Sequence, residues 1–141
     1  MKQLLIIFAL FIISTYFSCA ILPKKSPNSY MEAGKKYYDK KDYVKAYKNY
    51  SRAIKLNPNL YTAYWERATA EIAMDSLEKA IDDISVYIES TPSQELLQKA
   101  YFQRALILDK RGYKSDACDD LNRACELTHN KSCDLYRLKC K

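Results

Sequence analysis

The chain has 141 residues, of which 48% are hydrophobic and 28% charged, and its 23 basic and 17 acidic residues leave a net charge of +6. That length holds one compact domain with a buried core, and two glycines with four prolines suit helices joined by short connections. Basic and acidic side chains alternate along the chain instead of clustering, so nucleic-acid binding, which needs a gathered basic face, is not expected.

In chain order the first segment is "MKQLLIIFALFIISTYFSC", with a cationic start at Lys2 and an apolar run from Leu4 to Phe17 that ends at Ser18-Cys19. This is the layout of a secretory signal, so residues 1–18 are read as a signal segment outside the folded domain. A small residue directly before a cysteine at the end of such a run resembles a bacterial lipobox, with Tyr16 and Phe17 standing where that pattern has Leu and a small residue. The resemblance implies that Cys19 receives a diacylglycerol thioether and becomes the N-terminus of an exported lipoprotein, anchored in the periplasm or at the outer membrane. Cleavage after Ala20 to give a secreted protein, and retention of Leu4 to Leu22 as an uncleaved anchor, remain the alternatives. All three fates put the domain outside the cytosol, where disulfides persist. Residues 19–29, which include "ILPKKSPNS", are rich in proline, lysine and serine and read as a tether to a domain over 30–141.

Similar segments then recur. "AYKNYSRAIKLNPN" (46–59), "AIDDISVYIESTPS" (80–93) and "ACDDLNRACELTHN" (117–130) open on Ala46, Ala80 and Ala117, spaced by 34 and 37 residues. Gly34, Ala68 and Ala105 repeat the same two offsets, and Pro58 and Pro92 are 34 apart. A period near 34 with small residues at fixed places predicts stacked helix pairs, because close helix crossings leave little room for side chains. Asp42 is expected to cap the second helix of the first pair. Thr91-Pro92-Ser93-Gln94 reads as a capping box that opens the third pair early, with proline at the first helical position. Gly112 is expected to end that helix in a left-handed cap, and residues 132–140 to form a terminal capping helix.

These residues resemble the tetratricopeptide repeat. Its succession of aromatic, small, aromatic, Ala, aromatic, Ala and Pro is met in residues 27–60 by Tyr30, Gly34, Tyr37, Ala46, Tyr50, Ala53 and Pro58. Residues 61–94 supply Tyr64, Ala68, Ala80, Ile84 and Pro92, and depart at Glu71 and Tyr87. Residues 98–131 supply Tyr101, Ala105, Ala117, Leu121 and Ala124, and depart at Leu108 and His129. The resemblance implies an all-α fold, an α-solenoid of three helix pairs plus a C-terminal capping helix. It also implies a concave groove lined by the first helix of each pair. In this chain the lining places hold Asn28, Met31, Lys35 and Tyr38, then Thr62, Trp65, Thr69 and Ile72, then Lys99, Phe102, Leu106 and Asp109. Such an aromatic and apolar strip suits an extended peptide or a helix. Some members clamp a C-terminal carboxylate, but the clamp places here hold Met31, Lys35, Glu66, Lys99 and Gln103, and only Lys99 matches.

Four cysteines close the chain, Cys118, Cys125, Cys133 and Cys140. On the repeat alignment the first two lie on the second helix of the third pair and the last two on the capping helix. Residues seven apart on one helix are about 10.5 Å apart along its axis, beyond the roughly 7 Å that a disulfide tolerates between alpha carbons. An antiparallel hairpin forbids the crossed pairing, so the nested pairs Cys118–Cys140 and Cys125–Cys133 are expected, with reduced core thiols as the alternative. The same spacing argues against zinc, which needs four ligands converging on one ion. "ACELTHNKSC" also resembles the bridged segment of the cysteine-rich Sel1-like repeats, without that family's Gly-rich turns.

No phosphate-binding Gly-rich loop, metal cluster or catalytic triad is visible, and no cofactor is expected. Asp82-Asp83 and Asp119-Asp120 are read as solvated carboxylates on helix surfaces, and His129, the one histidine, as a loop residue. The sequence therefore reads as a non-enzymatic, membrane-tethered interaction or scaffolding module of the bacterial envelope with a protein or peptide partner. A Sel1-like enzyme such as a beta-lactam-binding hydrolase and a self-associating structural protein are the alternatives.

Overall fold

The computed structural model describes residues 25–91 and 93–140. The expected signal segment, the lipidation site Cys19 and Pro92 lie outside the described residues. Among those described, seven helices follow one another and no strand occurs. They are α1 (Pro27–Asp39), α2 (Tyr43–Leu56), α3 (Tyr61–Ala73), α4 (Leu77–Ser90), α5 (Gln94–Arg111), α6 (Lys114–Glu126) and α7 (Asn130–Lys139). None of these helices is long and apolar enough to cross a membrane. Three hairpins, α1–α2, α3–α4 and α5–α6, are followed by the single helix α7, which packs on α6.

Three helix starts differ from the sequence reading. Helix α1 begins at Pro27, inside the segment expected to be a tether, because Ser26 accepts the Ser29 N–H at 3.2 Å and proline is tolerated in the first turn, where its missing N–H costs nothing. Helix α5 is capped by Ser93 and not by Thr91. The Ser93 hydroxyl accepts the Leu96 N–H, while Thr91 is buried at the end of α4. Asp42 caps α2 through the Lys45 N–H at 3.1 Å, as its position predicts. Helix α7 starts two residues before the expected capping helix and ends one residue earlier.

Four helix ends share one geometry. Lys41, Asp75, Gly112 and Thr128 take positive φ of 61°, 57°, 86° and 71°. In each case the following N–H reaches back six residues inclusive, from Asp42 to Tyr37, Ser76 to Glu71, Tyr113 to Leu108 and His129 to Ala124, at 2.8–3.0 Å. This is the Schellman closure that satisfies the last carbonyls of a helix. Only one of the four positions carries glycine, so three turns hold a left-handed backbone against a Cβ penalty.

Small residues set how closely each hairpin packs. Gly34, Ala68 and Ala105 are all buried. A Cβ built on Gly34 would sit 2.4 Å from the ring of Tyr50, which is itself 1% exposed. Glycine is required there because its partner on α2 is a tyrosine, whereas in the next pair Ala68 shares its cluster with the smaller Ile84.

The hairpins are joined by a polar staple that recurs once. Arg67 of α3 binds both oxygens of Asp83 on α4 at 2.6 and 2.7 Å and donates to the Ser51 hydroxyl of α2 at 3.2 Å. Arg104 of α5 binds Asp120 of α6 at 2.7 and 2.8 Å and donates to Ser85 of α4 at 2.8 Å. Each arginine thus ties its own hairpin to the second helix of the preceding one, and each stacks on tyrosine, Tyr47 and Tyr64 for Arg67 and Tyr101 for Arg104. This corrects the reading of the Asp doublets as solvated. Asp82 and Asp119 are exposed, but Asp83 and Asp120 are 5% and 4% exposed because the guanidinium neutralises them there.

The cysteines join α6 to α7. Cys118 is bonded to Cys140 with alpha carbons 5.7 Å apart, and Cys125 to Cys133 at 4.7 Å. Among the described residues no group of three or more His, Cys, Asp or Glu is placed to hold a metal ion.

Candidate functional site

The residues expected to line the groove lie on α1, α3 and α5, and the structure gives them unequal roles. Met31 and Tyr38 of α1 are half-buried against Ala46, Tyr50 and Ala70. Trp65 and Ile72 of α3 are half-buried against the larger cluster that contains Ala68, Ile84 and Tyr87. The Trp65 ring lies 5.1 Å from that of Tyr87 on α4, so part of its surface is spent on packing within its own hairpin. Phe102 of α5 stacks at 4.6 Å on His129, at the turn into α7. Leu106 stays 40% exposed, and Lys35 and Lys99 extend into solvent. Thr69 spends its hydroxyl on the Glu66 carbonyl at 2.7 Å. Asp109, at the far end of the strip, is paired with Lys139 of α7.

Two tyrosines from the second helices reach the strip from behind. The Tyr87 hydroxyl lies in the field of Lys99 and Glu66, and burial is the main cause that raises its pKa. The Tyr50 hydroxyl lies near Glu66, Asp39 and Tyr38, is buried, and has no hydrogen-bond partner among the described residues. Glu66 is held above the ordinary carboxyl range first by burial, with Lys35 opposing and Asp39 adding to the shift. A mixed floor of aromatic rings, carboxylates and lysines therefore runs from α1 to α5. Motif spacing alone named the rim residues of this floor. It named Tyr50 and Tyr87 only as places in the repeat and Glu66 only as a mismatch to the carboxylate clamp, because their approach to the strip depends on contacts between helices and not on position within one.

His129 accepts or donates a hydrogen bond with the Ser132 hydroxyl at 2.7 Å, and burial lowers its pKa, aided by Lys131 and Lys99. It is a packed turn residue beside Phe102 and not a freely solvated one. A cleft of about 250 Å³ opens beside the Cys118–Cys140 bridge, past the Asp109 end of the strip, lined by Asp109, Lys114, Ala117, Leu121 and Lys139.

A family model described as TPR repeat matches residues 34–70, the span from the Gly34–Tyr50 crossing to the middle of α3. The N-terminal domain of stress-induced protein-1 (STI-1) from C. elegans superposes with a TM-score of 0.77 at 19% identity, over 82% of this chain and 94% of that one. The chain has the fold of tetratricopeptide-repeat domains. Another repeat domain of the same fold, the first TPR of Spaghetti (RPAP3) bound to the HSP90 peptide SRMEEVD, gives a TM-score of 0.70 at 20% identity over 82% of this chain and 90% of that one. Among curated relatives, DnaJ homolog subfamily C member 7 from Mus musculus is 28% identical over 109 residues, which is 77% of this chain and 22% of that protein. The chain thus spans about a fifth of that relative's length.

Proposed function

We propose that this repeat domain binds an extended peptide or helix of a partner protein along the strip formed by α1, α3 and α5, by binding alone and without catalysis. The observation that carries the reading is the row of half-exposed apolar and aromatic side chains on the first helices, Met31, Tyr38, Trp65, Ile72, Phe102 and Leu106, interleaved with Lys35 and Lys99. Such a row supplies aromatic anchors with polar edges, the composition that peptide grooves use. The neighbour that holds an HSP90 peptide supports the choice of a peptide over a small molecule. The four described cysteines are in disulfides, and the Ser132 hydroxyl that meets His129 at 2.7 Å belongs to a fully buried residue, so neither is presented to a substrate.

Trp65 is the only tryptophan, so its emission reports on the centre of the strip. A bound partner peptide shifts that emission, and Trp65→Ala weakens binding by more than about 1 kcal/mol while the domain stays folded. Unchanged affinity in a folded Trp65→Ala variant would remove the groove reading. For the location, we propose an exported lipoprotein of the bacterial envelope, anchored through Cys19. The motive is the apolar run that ends at Ser18-Cys19. Cys19→Ala then abolishes labelling by a fatty-acid probe in the native host; persistent labelling rules the anchor out.

A further inference from the structure

Resting on the reading of the strip as a peptide groove, we infer that its α1–α3 end is a subsite for a basic side chain, lysine or arginine, of the bound segment. The ring of Tyr50, carried by α2, packs against Gly34 of α1, whose missing side chain makes the room. The Tyr50 residue is 1% exposed, yet its hydroxyl finds no partner among the described residues. The groups whose charge it feels are Glu66 and Asp39, with the phenol of Tyr38 alongside. Lys35 is the one cation among the groups acting on Glu66, so two carboxylates face a single lysine.

Among the described residues eight of the 17 acidic groups take part in no ion pair, and of these Glu66 and Glu71 alone are withdrawn from water. Asp42, Asp75, Glu78, Asp83, Glu95, Asp109 and Asp120 are each paired with lysine or arginine at short range. Among the described residues neither Glu66 nor Asp39 takes part in such a pair. A half-buried carboxylate beside a second one, over a buried hydroxyl oxygen with an unused lone pair, matches a donor that brings positive charge and more than one N–H. A guanidinium or an ammonium meets all three needs, and the half-buried Tyr38 ring offers a face for the cation. A carboxylate from an acidic peptide, such as the SRMEEVD segment held by the neighbouring fold, would be placed against two like charges.

The test is selection of a random twelve-residue phage-displayed library on the full chain in a non-ionic detergent, followed by synthesis of the enriched peptides. The expected result is enrichment of peptides with lysine or arginine at one fixed place. Replacing that residue by norleucine weakens binding about tenfold, the loss of one charge-assisted hydrogen bond. Glu66→Gln and Asp39→Asn each lower the affinity for the parent peptide and leave that for the norleucine peptide unchanged. Asp39 is exposed at the end of α1, so its variant keeps the fold even where Glu66→Gln disturbs packing. Enriched peptides without a basic residue, or with affinity unchanged in both variants, overturn the subsite; if Trp65→Ala still abolishes their binding, the groove stands without it. Failure to enrich any peptide, or binding insensitive to Trp65→Ala, overturns the groove and the subsite together.

Discussion

At Gly34 and Glu71 single side chains carry more than local weight. A methyl group at position 34 would meet the Tyr50 ring at 2.4–2.9 Å, and Tyr50 has no free space into which to retreat. Gly34→Ala is therefore expected to cost about 1–3 kcal/mol, read as a lower denaturant midpoint. Adding Tyr50→Leu to that variant removes the clash and recovers part of the loss. Glu71 occupies the place filled by Tyr37 in the first repeat and Leu108 in the third, and it is 2% exposed. Burial first, then the charge of Asp83, holds its pKa up to about 7 from an ordinary 4.5. Because the folded value is the higher, the folded state holds the proton more tightly. The stability this brings is complete below pH 4.5 and is lost as pH rises through 7. The loss is about 3 kcal/mol at most, and thermal melts from acid to mildly alkaline pH should show it as a falling Tm. His129, held below its ordinary value by burial, works in the opposite sense, so the decisive comparison is Glu71→Leu. That variant should melt higher at alkaline pH and lose most of the slope.

At the scale of helices, the arginine staples decide how hairpins align. Arg67 and Arg104 leave 19% and 21% of their side chains exposed, and their aspartates 8% and 6%, so each pair is largely withdrawn from water. Removing one partner strands the other charge, and Arg104→Ala is expected to cost about 3–5 kcal/mol. The joint change Arg104→Met with Asp120→Leu strands nothing and should cost far less; equilibrium unfolding of both variants checks the contrast. The sequence carried the signal for these pairs. "AYWERAT" and "AYFQRAL" align the arginines, and Asp83 and Asp120 share their offset of 37. It was not readable as a staple because each aspartate has an exposed twin beside it, and only helix rotation decides which member of the doublet turns inward. Helix existence and pairing were legible throughout, since small residues and aromatics recur at a fixed period. The start of α5 was not, because Thr91 and Ser93 are equally good caps in sequence and differ only in which one the chain buries.

At the scale of the whole domain, stability is unevenly distributed. The last hairpin and α7 are closed by two covalent links, while the first two hairpins rely on packing and one staple. The Cys118–Cys140 bridge should contribute about 2–4 kcal/mol, and the shorter loop of Cys125–Cys133 less. Helix α7 is only 10 residues long and too short to persist unaided. Reduction should therefore raise hydrogen exchange in α6 and α7 first, with α1 to α4 unchanged; uniform exchange across the domain would show that the bridges do not act locally. That the strip residues share the first helices of the hairpins follows from the repeat pattern, but the approach of Tyr50 and Glu66 does not, since it joins α1, α2 and α3 through distances that no single helix period encodes. The outer bridge also has a mechanical meaning. Tension applied at Cys140 passes straight to Cys118 through the sulfur atoms, so the chain between them, a sequence separation of 22, is shielded from load and cannot pay out. A pulled oxidised domain should lengthen by about 75 Å less than a reduced one, and its first yielding element should be a hairpin upstream of α6.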